Sequence, residues 1–487
     1  MTILFLTMLY KRCAIWYNAT RLSMRCAMRK KDTKLNMEMI GIILALAWPT
    51  MLEELLLTAV QYIDTAMVGV LGTQATAAVG ATTTVNWLVG STISAMSIGF
   101  LAFIAKACGA GDRESASRAS AQAVTMVLVV GTVATILTVG LSGFIPTWMQ
   151  VDENIRTTAS QYFLILYLPM LPRTASIIFG TVLRAAGDTK TPMKVGAIVN
   201  TINVILNFLL IYPTREISLW GWGVVMPGAG WGVLGAAAAS SIAYAIGGIQ
   251  ITVVLWKHPV ISPRGSSLKP NREILRPCMK VALPNMLQRF GTSFGYVAFA
   301  SMVNSLGDVA TAAHTIANTV ESAFYIPGYG MQTAAATLAG NAYGARDQKR
   351  MKDLSNMFVP IEVVLMILSG GALYLMAPSL VRLFSDNPEV INLGITVLRM
   401  VAVTEPFYGV SIIVEGMMQG VGRTKAPFVY NIIGMWGIRI VGTFICTQML
   451  GYGLVSAWAC MIAHNMLLFC LFLMNYIRGS WNPLKNP

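Results

Sequence analysis

The stretch PTMLEELLLTAVQYID, residues 49–64, opens a block of sequence that this chain contains twice. Residues 49–112 align without a gap with residues 284–347, and about 18 of the 64 aligned pairs are identical. A repeat of this length dictates architecture, because each copy is expected to fold into the same succession of elements. One difference stands out. Asp64 lies within an apolar run of the first copy, and its partner in the second copy is Phe299.

The repeat extends beyond this block and covers most of the chain. The segment LRAAGDTKTP (183–192) aligns with MQGVGRTKAP (418–427) at the same offset of 235 positions. After a net shortening of about 14 residues, GVLGAAAA (232–239) aligns with GLVSAWAC (453–460). We therefore expect two lobes with the same order of helices.

Composition predicts that these helices lie in a membrane. Of 487 residues, 55% are hydrophobic and only 11% are charged, and the mean hydropathy is +0.62. Soluble domains carry roughly 25% charged residues, so this chain has too few charges to cover a water-facing surface. Apolar runs near the roughly 20 residues that cross a bilayer predict an all-α integral membrane protein with twelve transmembrane helices. The predicted spans are residues 40–64, 77–101, 117–143, 158–180, 194–212, 232–256, 277–303, 312–338, 355–378, 391–418, 428–447 and 452–476.

The distribution of basic residues supports this number of spans. With the N-terminus inside, the cytoplasmic loops hold nearly all Lys and Arg, and the opposite side receives only Arg156, Arg215 and Arg382. That asymmetry follows the positive-inside rule. We therefore expect a cell-membrane protein with both termini in the cytoplasm. The same bias accounts for most of the net charge of +14, so nucleic acid is not an expected partner.

Domain boundaries follow from the spans. Residues 1–36 form a basic arm that we expect to be disordered, and residues 257–276, rich in Pro, Ser and basic residues, form a cytoplasmic linker. Residues 37–256 and 277–478 are the two pseudo-symmetric six-helix lobes around a central cleft, and residues 479–487 are a cytoplasmic tail.

This arrangement is typical of transporters. Six is an even number, so both halves share an orientation, and an axis along the membrane normal relates them. A channel would be expected to carry selectivity-filter loops or rings of pore-lining charge, and a receptor rarely needs duplicated halves. The sequence has no GxxxxGK[ST] loop, so a nucleotide-driven pump is not expected. We also do not expect an enzyme. The seven cysteines lack metal-ligand spacing. No cofactor is expected beyond a coupling ion, H⁺ or Na⁺.

Acidic residues inside the spans are the candidates for ion coupling. An ionised carboxylate at membrane depth costs about 3 kcal/mol on insertion scales, so it indicates a functional site by default. The acidic residues in question are Glu53, Glu54, Asp64, Glu321, Glu362, Glu405 and Glu415.

Asp64 is the acid for which the sequence predicts a set of polar neighbours. The polar residues expected near it are Gln61 one turn earlier, Asn200, Asn203 and Asn207 on one face of the fifth span, and Ser240 in the sixth. Carboxylate, amide and hydroxyl oxygens suit a small cation such as Na⁺, and the carboxylate could instead take a proton. The asparagine stripe has an alternative role, because polar residues also hold helices together in lipid.

Glu321 and Glu415 are the candidates in the second half. Either could line the substrate cavity and attract a cationic compound, together with Gln61 and Asn200 from the first half. Glu415 could equally pair with Arg423 or Lys425 at the nearby helix end, and Glu405 could serve only the backbone or Arg399.

Four segments resemble the multidrug and toxic compound extrusion (MATE) family, and specifically its DinF-like prokaryotic branch. The resemblance covers nearly everything from Glu38 to Tyr476. The segments are AWPTMLEELLLTAVQYIDTAMVGVLG (47–72), GTVLRAAGDTKTPMK (180–194), INVILNFLLIY (202–212) and AAHTIANTVESAFYIPGYGMQTAAATLAGNAYGA (312–345).

The resemblance implies an antiporter that expels amphipathic, often cationic compounds in exchange for H⁺ or Na⁺ by alternating access, and that functions as a monomer in the bilayer. The cation site of the family's N-terminal lobe resembles Asp64, Asn203, Asn207 and Ser240 here. Its first-helix proline, a proposed bending point, corresponds to Pro49, and a proline does permit a kink. Carboxylates that other branches carry in the seventh and tenth spans have no match, because Thr292 and Tyr408 stand there.

Two alternatives remain at this stage. A lipid-linked saccharide flippase of the same superfamily would share the helical plan but would be expected to line its cavity with basic residues. An exporter of one dedicated endogenous metabolite would have the same sequence features as a multidrug antiporter.

Overall fold

The computed structural model describes residues 32–149, 151–219 and 222–485. The chain divides into two compact units, one that ends at Ala45 and one that comprises Leu46–Pro487. Of the predicted arm, residues 1–31 lie outside the described residues, and residues 32–36 belong to a helix. The following description concerns the second unit, apart from the bounds of the first helix, which begins at Asp32.

Helices dominate the chain, and they arrange as two lobes of six spans, as predicted. Spans 1 to 6 are Asp32–Gly69, Thr73–Gly109, Arg113–Gly140, the pair Glu153–Tyr167 and Met170–Ala185, Lys190–Leu210, and Val233–Lys257. Spans 7 to 12 are Arg272–Asn304, Asp308–Gly344, Gln348–Arg382, the pair Pro388–Ala402 and Glu405–Gly420, Lys425–Met449, and Leu454–Arg478. A short helix, Ile145–Trp148, lies between spans 3 and 4.

Length and hydropathy support ten of these twelve spans. Among the described residues, eight helices are long and apolar enough to cross a membrane, and two bent pairs qualify when each pair is taken together. Spans 7 and 8 complete the twelve. They are long enough but more polar, since they carry buried polar side chains such as Asn285, Gln288 and Glu321.

Spans 4 and 10 correct the prediction of continuous helices at residues 158–180 and 391–418. Each is broken, with bends of 50° and 52°. The breaks are related by the repeat, because Ala402 and Glu405 lie 235 positions after Tyr167 and Met170. Proline begins the second helix in both cases: Pro169 precedes Met170, and Pro406 lies in the first turn. Proline lacks an N–H group and is tolerated at a helix start but not in its interior.

The loop between spans 5 and 6 contains a β-hairpin that the sequence did not predict. Strand β1 (Pro213–Leu219) pairs antiparallel with β2 (Trp222–Ala229), with an irregularity between Pro213 and Arg215. The second copy has only a short turn at this point, so the hairpin accounts for the difference in length between the copies.

Each lobe has its own apolar core. One cluster of buried side chains draws almost entirely on residues 67–278, and another draws on residues 299–461. Between the lobes, span 2 approaches spans 7 and 8 at glycines. A Cβ on Gly109 would lie 2.6 Å from the carbonyl carbon of Asn341, and one on Gly344 would lie 2.7 Å from that of Lys106. The lobes are therefore in backbone contact at the end of the molecule where spans 2 and 8 end.

Span 11 departs from α-helical geometry. Ile433–Ile440 and Ile445–Met449 are π-helical. A π-turn contains more residues than an α-turn, so it rotates the side chains that follow. The repeat aligns Ile438 with Asn203, yet Ile438 is only half-buried whereas Arg439 is 3% exposed. The π-turns thus bring an arginine to the interior of the second lobe.

Candidate cation site

Four predicted residues form one continuous chain of hydrogen bonds in the first lobe. Asn207 Nδ2 donates to Asp64 Oδ1 at 2.5 Å and lies 3.3 Å from Asn203 Oδ1, to which it also donates. Asn203 Nδ2 in turn donates to Ser240 Oγ at 3.1 Å. The chain joins span 1, span 5 and span 6, so a change in the charge of Asp64 acts on three helices at once.

Burial makes the charge of this chain consequential. Asn207 is fully buried and Asn203 is 4% exposed, whereas Asp64 and Ser240 are half-buried. Within the described part of the chain, Asn207 Oδ1 has no hydrogen-bond partner. A buried polar atom without a partner costs about 1–3 kcal/mol. This oxygen, beside the carboxylate, therefore fits either a sodium ion or the proton of a protonated Asp64 as its missing partner.

The other first-lobe candidates lie outside this chain. Gln61 is exposed on span 1, and Asn200 is half-buried on span 5, one turn before Asn203. Among the described residues, no group of three or more His, Cys, Asp and Glu side chains is placed to hold a metal ion. Any sodium ion would depend mainly on neutral oxygen ligands.

Tyr162 adjoins the site, and two further tyrosines and an arginine neighbour Tyr162; none of them was predicted from the sequence. Tyr162 is buried and close enough to Asp64 to interact electrostatically with it. The Arg173 guanidinium lies 4.7 Å from the ring centre of Tyr244 and 5.6 Å from that of Tyr167. Arg173 is buried, and its Nη1 has no hydrogen-bond partner in the described ranges. A basic residue inside a predicted span was the available signal, as for Asp64.

The second lobe has a different arrangement at the corresponding place. Phe299, the partner of Asp64 in the repeat, is 1% exposed, and the Arg439 guanidinium lies 4.3 Å from its ring centre. The same guanidinium lies 4.9 Å from the ring of Tyr296. A cation–π contact thus joins spans 7 and 11, where an amide–carboxylate hydrogen bond joins spans 1 and 5.

Glu415 is held by amides. Its carboxylate accepts from Gln288 Nε2 at 2.9 Å, from Gln419 Nε2 at 3.1 Å and from Asn431 Nδ2 at 3.4 Å. The considered pairing with Arg423 is not what the structure has, because Arg423 donates to the backbone of Ser480.

The first lobe has an ion pair at the corresponding position. Glu53 and Arg184 are the repeat partners of Gln288 and Gln419, and Arg184 Nη2 donates to Glu53 Oε1 at 2.6 Å. The repeat therefore conserves a polar cluster here while it changes which residues carry charge.

Glu321 belongs to a group of three buried acids. It is 6% exposed, Glu405 is 2% exposed, and Glu362 is fully buried. Glu405 interacts electrostatically with both others, and Glu321 interacts with Arg439. Each acid was a candidate from its position in the sequence, but their proximity to one another was not predicted. The considered partner of Glu405, Arg399, lies instead over the ring of Tyr374.

Comparison with known proteins identifies the family. The MatE family model matches residues 49–209 and residues 284–445, one match in each lobe. The chain belongs to the MatE family. It is accordingly a membrane transporter, which confirms the resemblance seen in the sequence.

Relatives within this family align over nearly the whole chain. The "Probable multidrug resistance protein NorM" of Thermotoga maritima is 26% identical over 439 residues, which are 90% of this chain and 92% of that protein. The "Probable multidrug resistance protein YpnP" of Bacillus subtilis is 25% identical and covers 90% of this chain and 94% of its own length.

Solved structures of transporters share the fold. A MOP superfamily transporter from Pyrococcus furiosus, described as having a binding pocket of reverse polarity, superposes with a TM-score of 0.83 at 22% identity. That match covers 92% of this chain and 96% of the other. A multidrug resistance MATE family transporter in its outward-facing conformation gives a TM-score of 0.82 at 23% identity, with the same coverage of both chains. These likenesses establish the fold of the chain.

Proposed function

We propose that this chain is a secondary active antiporter that expels amphipathic, often cationic compounds in exchange for H⁺ or Na⁺. The observation that carries the proposal is the hydrogen-bonded chain from Asp64 to Ser240, which places one carboxylate inside a lobe of a membrane transporter. The names of the multidrug resistance relatives support the substrate class. The protein acts as a monomer, since each chain contains both lobes.

Asp64 is the group that binds the coupling ion. Ionised, it accepts the hydrogen bond from Asn207 Nδ2. Protonated, it donates instead, and Asn207 Oδ1 is the buried acceptor that lacks a partner. The Asn207 amide then rotates, which breaks its bond to Asn203 and loosens span 5 from span 1. A sodium ion would produce the same change by drawing Oδ1 toward the carboxylate.

Span 1 transmits this change to the other lobe. Thr50 Oγ1 donates to the backbone oxygen of Gly330 at 2.9 Å, and the Tyr62 hydroxyl donates to that of Thr319 at 3.1 Å. Both acceptors belong to span 8. Asp64 lies two residues after Tyr62 on the same helix, so a displacement of span 1 on ion binding acts directly on span 8. Pro49, beside Thr50, lies inside the helix Asp32–Gly69 and is the proposed bending point.

The orientation follows from the basic loops, which we assign to the cytoplasm together with both termini. The glycine contacts between the lobes then close the cytoplasmic side, and the structure corresponds to an outward-facing state of a cell-membrane protein. One ion per cycle supplies about 2.3 kcal/mol per 100 mV, or about a fiftyfold concentration ratio of substrate if exchange is electrogenic.

Efflux from proteoliposomes under imposed proton or sodium gradients tests the proposal. We expect Asp64→Asn to abolish gradient-driven efflux of a fluorescent cation such as ethidium. Asp386→Asn is the matched control, because Asp386 is exposed in a loop and its substitution is expected to leave efflux unchanged. Normal efflux by a folded Asp64→Asn variant would show that coupling does not occur at this residue.

A second pair of variants tests the asparagine chain. Asn207→Ala removes the bond to Asp64, and we expect at least a tenfold loss of coupled efflux, since a hydrogen bond to a charged group contributes about 1.5–3 kcal/mol. Asn200→Ala alters the same helix outside the chain of bonds and is expected to be close to wild type. Equal effects of the two would refute the assigned role of Asn207. Dependence on the pH gradient alone, without sodium, would identify the ion as H⁺.

A further inference from the structure

One face of span 8 carries an acid and two aromatic residues at successive turns. Glu321, Tyr325 and Tyr329 are spaced at i, i+4 and i+8, so they form a stripe on the helix. Span 10 packs against span 8 and presents Glu405 and Tyr408, one turn apart. The three tyrosines are half-buried rather than buried, so each residue keeps part of its surface exposed.

The rings are fixed relative to one another. Tyr325 meets Tyr329 edge to face with ring centres 5.7 Å apart, and it meets Tyr408 in the same way at 6.4 Å. The hydroxyl oxygens of Tyr329 and Tyr408 are 3.0 Å apart and share a hydrogen bond. Neighbouring aromatic rings with exposed faces are able to bind organic ammonium groups by cation–π attraction.

The repeat provides an internal reference for this arrangement. The first-lobe partners of Glu321, Glu405 and Tyr408 are Asn86, Met170 and Arg173. At the first two of these positions, the second lobe has an acid where the first lobe has an amide or a thioether. At the third, it has an aromatic ring where the first lobe has a cation. The substitutions all favour a bound cation in the second lobe.

Charge pairing leaves Glu405 available. Arg439 interacts with Glu321 and lies over neighbouring rings, so it offsets that acid. Glu405 is 2% exposed, and its Oε2 has no hydrogen-bond partner among the residues that the structure describes. The two other acids, Glu321 and Glu362, act electrostatically on it. Glu321 and Glu405 both act on the hydroxyl of Tyr325. A buried carboxyl group thus lies one turn from Tyr408 and acts electrostatically on Tyr325.

We propose that Tyr325, Tyr408 and Glu405 form a second-lobe subsite that binds the ammonium or other cationic head of the transported compound, with Tyr329 holding Tyr408 in place. This proposal rests on the proposed function, because it assigns the cationic part of the substrate to a location. The subsite lies in the other lobe from Asp64. Substrate and coupling ion therefore bind different carboxyl groups, and the ion need not displace the substrate directly.

Equilibrium binding to the purified, full-length protein in detergent tests the subsite without any transport. The probe is radiolabelled benzyltrimethylammonium, and its uncharged carbon isostere neopentylbenzene serves as the competitor that reports non-electrostatic binding. We expect Tyr325→Leu and Tyr408→Leu to weaken the affinity for the cation about 3- to 30-fold and Glu405→Gln to weaken it about tenfold or more. The affinity for neopentylbenzene, measured by competition, is expected to change less than twofold in these variants.

Matched variants separate the subsite from general damage. Tyr325→Phe keeps the ring and is expected to bind the cation within about twofold of wild type. Tyr374→Leu removes a second-lobe ring that already carries Arg399, and it is expected to have no effect. Thermal unfolding of each variant verifies the fold.

Cation affinity within twofold of wild type in both folded Tyr325→Leu and folded Glu405→Gln would overturn the subsite. Ethidium efflux that continues in those variants would leave the proposed function intact. Conversely, a wild-type protein that binds the cation but shows no gradient-driven efflux would refute the proposed function but not the subsite.

Discussion

The glycine contacts between the lobes predict a variant that opens the closed side of the molecule. In Gly344→Ala, the new Cβ would lie 2.7 Å from the carbonyl carbon of Lys106, and the carbonyl oxygen is closer still. Ordinary contact distances for a Cβ begin near 3.4 Å, so the two backbones must separate. Overpacking of this kind costs about 1–3 kcal/mol. The open state lacks this contact, so the conformational equilibrium is expected to shift toward it by about 5- to 150-fold.

A native cysteine reports the opening. Cys278 is 1% exposed, and its carbonyl group packs against Gly99 of span 2, in the contact between the lobes. In a chain whose other six cysteines are replaced by serine, alkylation of Cys278 by N-ethylmaleimide measures exposure of this surface. We expect Gly344→Ala to increase the labelling rate in proportion to the shift in equilibrium.

Gly371→Ala is the matched control. Gly371 lies within span 9, and a Cβ there would meet nothing within 4 Å, so labelling is expected to stay at the wild-type rate. A folded Gly344→Ala variant that labels no faster than Gly371→Ala would refute the inference that this contact keeps the side closed.

Three further predictions concern stability and coupling. Gln122 is 2% exposed and forms three hydrogen bonds with the backbone of the linker. Gln122→Ala is therefore expected to destabilise the fold by about 1–3 kcal/mol and to hasten trypsin cleavage of the linker. Gln74→Ala, at an exposed site, is the control and is expected to have neither effect. Arg184→Gln leaves the Glu53 carboxylate unpaired and is expected to lower the unfolding temperature. The double variant Arg184→Gln/Glu53→Gln is expected to recover part of that loss. Equal unfolding temperatures for the single and the double variant would contradict this expectation. Tyr62→Phe removes a hydrogen bond to span 8 and is expected to slow coupled efflux about fivefold without changing the affinity for the ion. Weakened ion binding in this variant would instead place Tyr62 in the ion site.

Most of the helical plan could be predicted because span length and charge bias act locally along the chain. The predicted fifth span, residues 194–212, and the observed helix Lys190–Leu210 differ by only a few residues at either end. The polar stripe of Asn203 and Asn207 was predictable for the same reason, since polar residues on an apolar helix are few and their periodicity fixes the face they share.

The features that were missed depend on hydrogen-bond register and on packing. Breaks at Pro169 and Pro406 were not predicted, because a proline in an apolar run can kink a helix, begin one or end one. The interior position of Arg439 depends on π-turns, which composition does not reveal. The β-hairpin lies in a loop outside the spans, where hydropathy carries little information. The three acids of the second lobe were visible one by one, but only the packing of spans 8, 9 and 10 brings them together.

The guanidinium in the second lobe has an electrical consequence. Arg439 cannot leave the chain, and an arginine side chain does not lose its proton in a protein, so its charge is the same in every step of the cycle. The membrane potential acts on such a group only when the side chain itself moves across part of the field, as it does on the gating charges of voltage sensors. On the proposed mechanism, the potential acts on the first lobe through the ion that Asp64 binds, and it acts on Arg439 only if span 11 carries this side chain across part of the field.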